Sequence, residues 1–143
     1  MLALAGVNVM GRPVRVAIVD DDEAFRRALT RLLVTLGFDV WSCSSAEELL
    51  ASPDALDRDC VVLDVHLPRM NGIELRRTLA TLRPALPVLL LTADPVLVNR
   101  PAALEGATCL EKTVRDGVLV KTILALVAPI EGGPAVPGTT KVP

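Results

Sequence analysis

The sequence predicts an α/β protein built as (βα)5, a five-stranded parallel sheet with helices on both faces. Three observations predict it. Short runs rich in Val, Leu, Ile or Cys recur along the chain. Between them, apolar residues repeat at helical spacing. The strands are near-continuously apolar rather than alternating, so both of their faces are buried, as in a parallel sheet covered by helices.

Residues 14–19 (VRVAIV) read as the first strand, and Asp20-Asp21-Asp22-Glu23 follows directly. A helix starts there, with Phe25, Ala28, Leu29, Leu32, Leu33 and Leu36 on one face and Arg26, Arg27 and Arg31 largely away from it. Asp22 is its N-cap, and Gly37 is the natural residue to stop it. Residues 38–43 form the second strand. Ser45-Ala46-Glu47-Glu48 has the Ser-x-x-Glu form of a capping box and opens a short helix to about Ala51, which Pro53 closes. Residues 60–64 form the third strand, and Pro68 to Gly72 a turn. Ile73, Leu75, Leu79 and Leu82 mark the next helical face. Residues 87–92 (PVLLLT) are the fourth strand. A helix is expected over 96–104, shortened or bent by Pro95 and Pro101. Residues 106–110 are a short fifth strand. The last helix covers 114–128, with Val118, Leu119, Thr122, Ile123, Leu126 and Val127 in phase.

This gives one domain over residues 14–128. Residues 1–13 read as a flexible N-terminal extension, without the positively charged start or clear cleavage site of a signal peptide. Residues 129–143 hold four Pro and three Gly with no apolar period, and read as a disordered tail or linker stub.

Composition excludes several function classes. Of 143 residues, 51% are hydrophobic, enough for a core, but the aromatics are only Phe25, Phe38 and Trp41. That argues against a base-stacking surface, and a net charge of −2 gives no basic field for nucleic acid or anionic membrane. No run approaches the ~18 apolar residues that span a bilayer. Cys43, Cys60 and Cys109 lack CxxC spacing, and His66 is the one histidine, so a zinc site or disulfide framework is not expected. The three cysteines read as small buried hydrophobes, and thiols expected to stay reduced suggest a cytoplasmic protein.

The chemistry gathers at strand ends. Val61-Val62-Leu63-Asp64-Val65-His66-Leu67-Pro68 climbs through an apolar run to one carboxylate, then turns. An aspartate in that place is costly to bury unless something pairs with it. In parallel α/β sheets the ligand crevice lies beyond the carboxyl ends of the strands. Asp20-Asp21-Asp22, Asp64, Thr92 and Lys112 all fall there. Carboxylates converging at ~4 Å repel by about 4 kcal/mol per pair at an effective dielectric of ~20. A cation between them removes that cost, and hard oxygen donors without Cys or His select Mg2+ or a similar ion. Lys112 adds a point charge for a phosphate oxygen, and Thr92 a hydroxyl donor. This is a phosphoryl site whose central carboxylate can act as a nucleophile.

These residues resemble the receiver domain of two-component response regulators over roughly 14–128. The matching stretches are VAIVDDDEAFRRAL, VVLDVHLPRMNGIEL, LLLTAD and GATCLEK. The resemblance implies a flavodoxin-like sheet of order 2-1-3-4-5. It implies that Asp64 accepts a phosphoryl group from the phosphohistidine of a sensor kinase or phosphotransfer protein. Asp21 would ligate Mg2+ directly, Asp20 through water, and Asp64 and the backbone carbonyl of His66 would complete the protein's share. Thr92 would swing toward the modified Asp64, and Lys112 would pair with a phosphoryl oxygen. His66 and Asp94, two residues after Asp64 and Thr92, would flank the group and influence its lifetime. Asp22 stays a helix cap.

Three departures stand out. Thr113 follows the lysine where the family usually has Pro, often after a cis bond. A cis bond before a non-proline costs about 3–4 kcal/mol, so a trans bond is expected, with displacement of Lys112 as its risk. Cys109 stands where the family has its aromatic switch. The stretch from Thr92 to Lys112 is short and carries two prolines. The expected function is a phosphoacceptor that signals to a protein partner, as a stand-alone receiver or with an effector beyond Pro143. A homodimer is compatible with the resemblance, although the usual pairing face is altered. The alternative is a receiver-like scaffold that works without phosphorylation. A phosphatase with an aspartyl nucleophile fits poorly, because its acid/base aspartate would stand at His66.

Overall fold

The computed structural model describes residues 5–128. Five strands, β1 (Arg15–Val19), β2 (Asp39–Cys43), β3 (Cys60–Asp64), β4 (Val88–Thr92) and β5 (Thr108–Glu111), form one sheet. Its order is β2-β1-β3-β4-β5, and every pairing is parallel. The helices are α1 (Glu23–Thr35), α2 (Ala46–Leu50), α3 (Pro53–Leu56), α4 (Gly72–Leu82) and α5 (Asp116–Val127). This is the flavodoxin-like architecture.

Successive strand residues point to opposite faces, and the core divides accordingly. Ala17, Val19, Val61, Leu63 and Leu90 pack with Ala46, Leu49, Ala55, Leu75 and Leu79 of α2, α3 and α4. Val16, Ile18, Cys60, Val62, Leu89 and Leu91 pack with Leu29 and Leu33 of α1 and Leu119, Val120 and Ile123 of α5. All of β3 is buried, which explains why that segment lacks a polar alternation. The same parity aims Asp20, Asp64 and Lys112 toward the α1/α5 side. Thr92, two residues after Leu90, points to the other.

Local chemistry sets the helix ends. The Asp22 carboxylate accepts from Phe25 N and caps α1, and Gly37 takes a left-handed φ of 96° after it. Ser45 Oγ accepts from Glu48 N at 3.2 Å, the forward half of the expected box. The Glu48 carboxylate accepts from the Ser44 hydroxyl at 2.8 Å.

Several expectations are corrected. Pro53 does not close a helix; it opens α3, with Ser52 as N-cap. Proline suits a first helical turn, where its missing N–H leaves no bond unmade. The helix expected over 96–104 is a single 3-10 turn, Leu97–Asn99, followed by turns. Pro95 and Pro101 bracket too few residues for a stable helix. Leu82 is 53% exposed rather than in the core, because α4 ends there. Within the stretch read as an N-terminal extension, Gly6 and Val7 contact the chain that follows, while Val9 and Met10 are exposed. Gly6 N donates to Leu36 O at 2.8 Å, Val14 N to Gly6 O at 2.6 Å, and Val7 bridges Pro13. The stretch 129–143, expected to be a tail, lies outside the described residues. Among the described residues no helix is long and apolar enough to cross a membrane.

Candidate functional site

The site is assembled at the carboxyl ends of β1, β3, β4 and β5. In-register pairing brings Val19 beside Leu63, Asp64 beside Leu91 and Thr92 beside Glu111. The residues one step beyond β1 and β5, Asp20 and Lys112, thus share a crevice with Asp64. Lys112 N donates to Thr92 O at 2.8 Å and fixes where the lysine leaves the sheet.

Asp20, Asp21 and Asp64 each offer a carboxylate oxygen, and these oxygens lie within 4.8 Å of one another. Asp20 and Asp64 are buried and Asp21 is exposed. Lys112 Nζ sits 2.7 Å from Asp20 Oδ2 and 3.2 Å from Asp64 Oδ2. It also lies over the Phe25 ring, 4.6 Å from the centroid. The remaining Asp20 and Asp64 oxygens are held by backbone: Asp22 N donates to Asp20 Oδ1 at 2.9 Å, and His66 N to Asp64 Oδ1 at 3.1 Å. The Arg26 guanidinium donates to the Asp20 carbonyl at 2.6 Å and clamps the turn after β1.

The Asp20 Oδ2–Lys112 contact is an ion pair without hydrogen-bond geometry, so Asp20 Oδ2 is buried and accepts no directed hydrogen bond. Burial raises the Asp20 pKa above its ordinary value, against the opposing pull of Lys112 and the Asp22 N–H. For Lys112, burial pushes the pKa down, but Asp20 and Asp64 outweigh it and hold the ammonium above its ordinary value. One ammonium therefore serves two buried carboxylates, with a third beside them.

A buried Asp20 oxygen with no directed hydrogen bond, grouped with the Asp21 and Asp64 carboxylates, is a hard donor set that fits a small divalent ion. Oxygens bound to one Mg2+ sit about 3–4 Å apart, given bonds of ~2.0–2.1 Å in octahedral geometry. Asp20, Asp21 and Asp64 are the side chains that would hold it.

The other predicted residues are placed as follows. Thr92 is fully buried, and its Oγ accepts from Asp94 N at 3.0 Å, leaving its hydroxyl proton to donate elsewhere. Asp94 is exposed, and its carboxylate accepts from Val96 N at 2.9 Å, holding its own turn. The His66 side chain is exposed. Cys109 is half-buried against the α2–α4 side of the core, and Thr113 is exposed in a turn. No cis peptide occurs among the described residues, and the trans Lys112–Thr113 bond does not pull the lysine away from Asp20 or Asp64. Burial pushes the Cys43 and Cys60 thiols up to about 11 and about 12, so both are unreactive near neutral pH.

Two supporting residues escaped the sequence reading. Asn71 caps α4 through a full capping box, with its side chain accepting from Glu74 N at 2.9 Å and Glu74 accepting from Asn71 N at 3.0 Å. Its Asn-x-x-Glu spacing was a visible signal. Gly72 packs α4 against the end of β3. A Cβ there would fall inside van der Waals contact of the Asp64 carbonyl oxygen and 2.9 Å from Val65 Cα. No local pattern announces that requirement.

Comparison with known proteins gives one consistent picture. A family model described as response regulator receiver domain matches residues 16–124. Nodulation protein W of Bradyrhizobium diazoefficiens is 33% identical over 112 residues, 77% of this chain and 49% of that protein. Response regulator MprA of Mycolicibacterium vanbaalenii is 40% identical over 94 residues, 66% of this chain and 41% of that protein. The chain thus spans less than half the length of either relative. A chain of the CheX–CheY–BeF3–Mg2+ complex from Borrelia burgdorferi superposes with a TM-score of 0.76 at 22% identity, covering 90% of this chain and all of that one. At that identity the likeness speaks for the fold.

Proposed function

The chain belongs to the response regulator receiver domain family, and from that premise we propose that it is a phosphoacceptor, with Asp64 taking a phosphoryl group from a phosphohistidine. The observation that carries the reading is the single ammonium of Lys112 lying within 3.2 Å of the Asp64 carboxylate and 2.7 Å of the Asp20 carboxylate, with Asp21 beside them. An acidic cluster kept in a buried crevice at this cost is suited to a cationic and phosphoryl ligand.

In the proposed step an Asp64 carboxylate oxygen attacks phosphorus as the phosphorus–nitrogen bond to the donor imidazole breaks. The His66 N–H orients Asp64 through Oδ1. Lys112 offsets charge on the transferring oxygens, and the Thr92 hydroxyl, which points to the other face of the sheet from Asp64 and accepts from Asp94 N, swings toward them to donate to one. Mg2+, when bound by Asp20, Asp21, Asp64 and the His66 backbone carbonyl, supplies charge neutralisation at those oxygens. His66 and Asp94 flank the group and tune its lifetime. The donor is a sensor histidine kinase or phosphotransfer protein, in the cytoplasm. The reader of the signal is a protein, and this segment has no direct role on nucleic acid. Self-association into a homodimer is part of the same reading.

Incubation with acetyl phosphate tests it. A phosphoryl mass increment is expected with Mg2+, and none with chelator or in Asp64→Asn. A second reading, a scaffold that needs no phosphorylation, is favoured by Cys109 at the usual switch position and by the lack of an α-helix between β4 and β5 among the described residues. Wild-type protein that takes up no phosphoryl group under these conditions would decide for the scaffold.

A further inference from the structure

We propose that Phe25 is a positioning residue for Lys112: its ring face forms the third wall of the place where the ammonium is held. The inference rests on the phosphoacceptor reading for its consequence in rate, but not for the placement itself. Lys112 enters the crevice from the end of β5 with only its backbone fixed, by its N–H to Thr92 O. Four side-chain torsions remain, and a lysine head is a mobile point charge. Two carboxylates attract it from one side, at 2.7 and 3.2 Å. The Phe25 ring meets it at 4.6 Å, within the ~6 Å over which a ring face attracts a cation.

Phe25 is itself placed rigidly. It lies in the first turn of α1, and its N–H is the donor to the Asp22 cap at 3.2 Å. Its ring is half-buried against the α1/α5 core. The turn just before it is clamped by Arg26 to the Asp20 carbonyl. The ring and the Asp20 backbone are therefore anchored in one turn, and the lysine lies between the ring, Asp20 and Asp64.

The ring matters most when the site is loaded. Asp20 Oδ2 is both the lysine's shortest contact and a candidate metal donor. An ion that draws on that oxygen weakens the lysine's hold there. The Phe25 face then joins the Asp64 Oδ2 contact in keeping the ammonium in the crevice rather than in solvent. A leucine fills similar space but has no quadrupole, whereas tyrosine and tryptophan keep one.

The test uses the full chain with 13Cε-labelled lysine. The chain has three lysines, so assignment is direct. The Lys112 Hε resonances are expected upfield of those of exposed Lys121, shifted by the ring current. They should lose that shift in Phe25→Leu and keep it in Phe25→Tyr and Phe25→Trp, with and without Mg2+. Phosphorylation by acetyl phosphate at saturating Mg2+ should slow about five-fold or more in Phe25→Leu and recover in Phe25→Tyr. A Lys112 shift unchanged in Phe25→Leu overturns the placement, and a wild-type rate in that variant overturns the positioning role. The mass of wild-type Asp64 tests phosphoacceptance separately, so failure of that reading leaves the resonance comparison decisive for Phe25.

Discussion

Replacing Gly72 by alanine probes the joint that sets Asp64. The added methyl would press on the Asp64 carbonyl oxygen and lie 2.9 Å from Val65 Cα. Both are backbone atoms, so neither can step aside by a rotamer change. Overpacking of this kind costs about 1–3 kcal/mol. Alanine recovers up to about 1 kcal/mol of helix propensity at the start of α4. Contacts this short to backbone set the cost at the upper end, so the net loss is about 2 kcal/mol, or roughly 5–10 °C in Tm for a domain of this size. Gly117 is the internal control. It lies in the first turn of α5, and a Cβ there meets nothing within 4 Å. Gly117→Ala should gain up to about 1 kcal/mol. Urea unfolding of both variants, read as midpoint shifts at constant slope, makes the comparison. Gly72→Ala as stable as wild type would show that α4 and the end of β3 are not in the contact described.

Lys112→Met leaves the Asp20 and Asp64 charges without their partner and should cost about 2 kcal/mol, less than a fully buried pair because the lysine side chain is 14% exposed. Millimolar Mg2+ should restore part of it, read by thermal melts with and without chelator. Asp20→Asn should raise metal-free stability at pH 7. The folded pKa of Asp20 is raised, so its favourable contribution is present at low pH and lost as pH rises through that pKa. The same variant should show a smaller Mg2+ shift. For Cys60, the folded thiol titrates at about 12 against an ordinary 9.0. Its contribution to stability is thus full below about pH 9 and falls by about 1.4 kcal/mol per pH unit above it; Cys43, pushed up to about 11, adds a like share, so Cys60→Ala should make the slope shallower by that one share in urea titrations between pH 8 and 11.

The sheet was legible because its strands are apolar runs that end in chemistry. Asp20, Asp64, Thr92 and Lys112 stand where those runs stop, and parallel register does the rest. What stayed hidden depends on contacts between distant parts of the chain. Gly72 looks like a turn glycine until β3 is seen beneath it. Phe25 reads as one more core residue of α1, and only the exit point of β5 puts a lysine on its face. Two misreadings were local. Pro53 alone reads as a stop, although Ser52 before it makes it a start. The apolar spacing over 96–104 suggested a helix, although two prolines leave room for one 3-10 turn.

Peptide mapping after borohydride trapping of acetyl-phosphate-treated protein asks the main question most directly. Trypsin releases residues 59–69 as one peptide holding both Asp59 and Asp64. The account predicts a Mg2+-dependent mark on Asp64 alone. A mark on Asp59 or elsewhere, or none in any peptide, would contradict it.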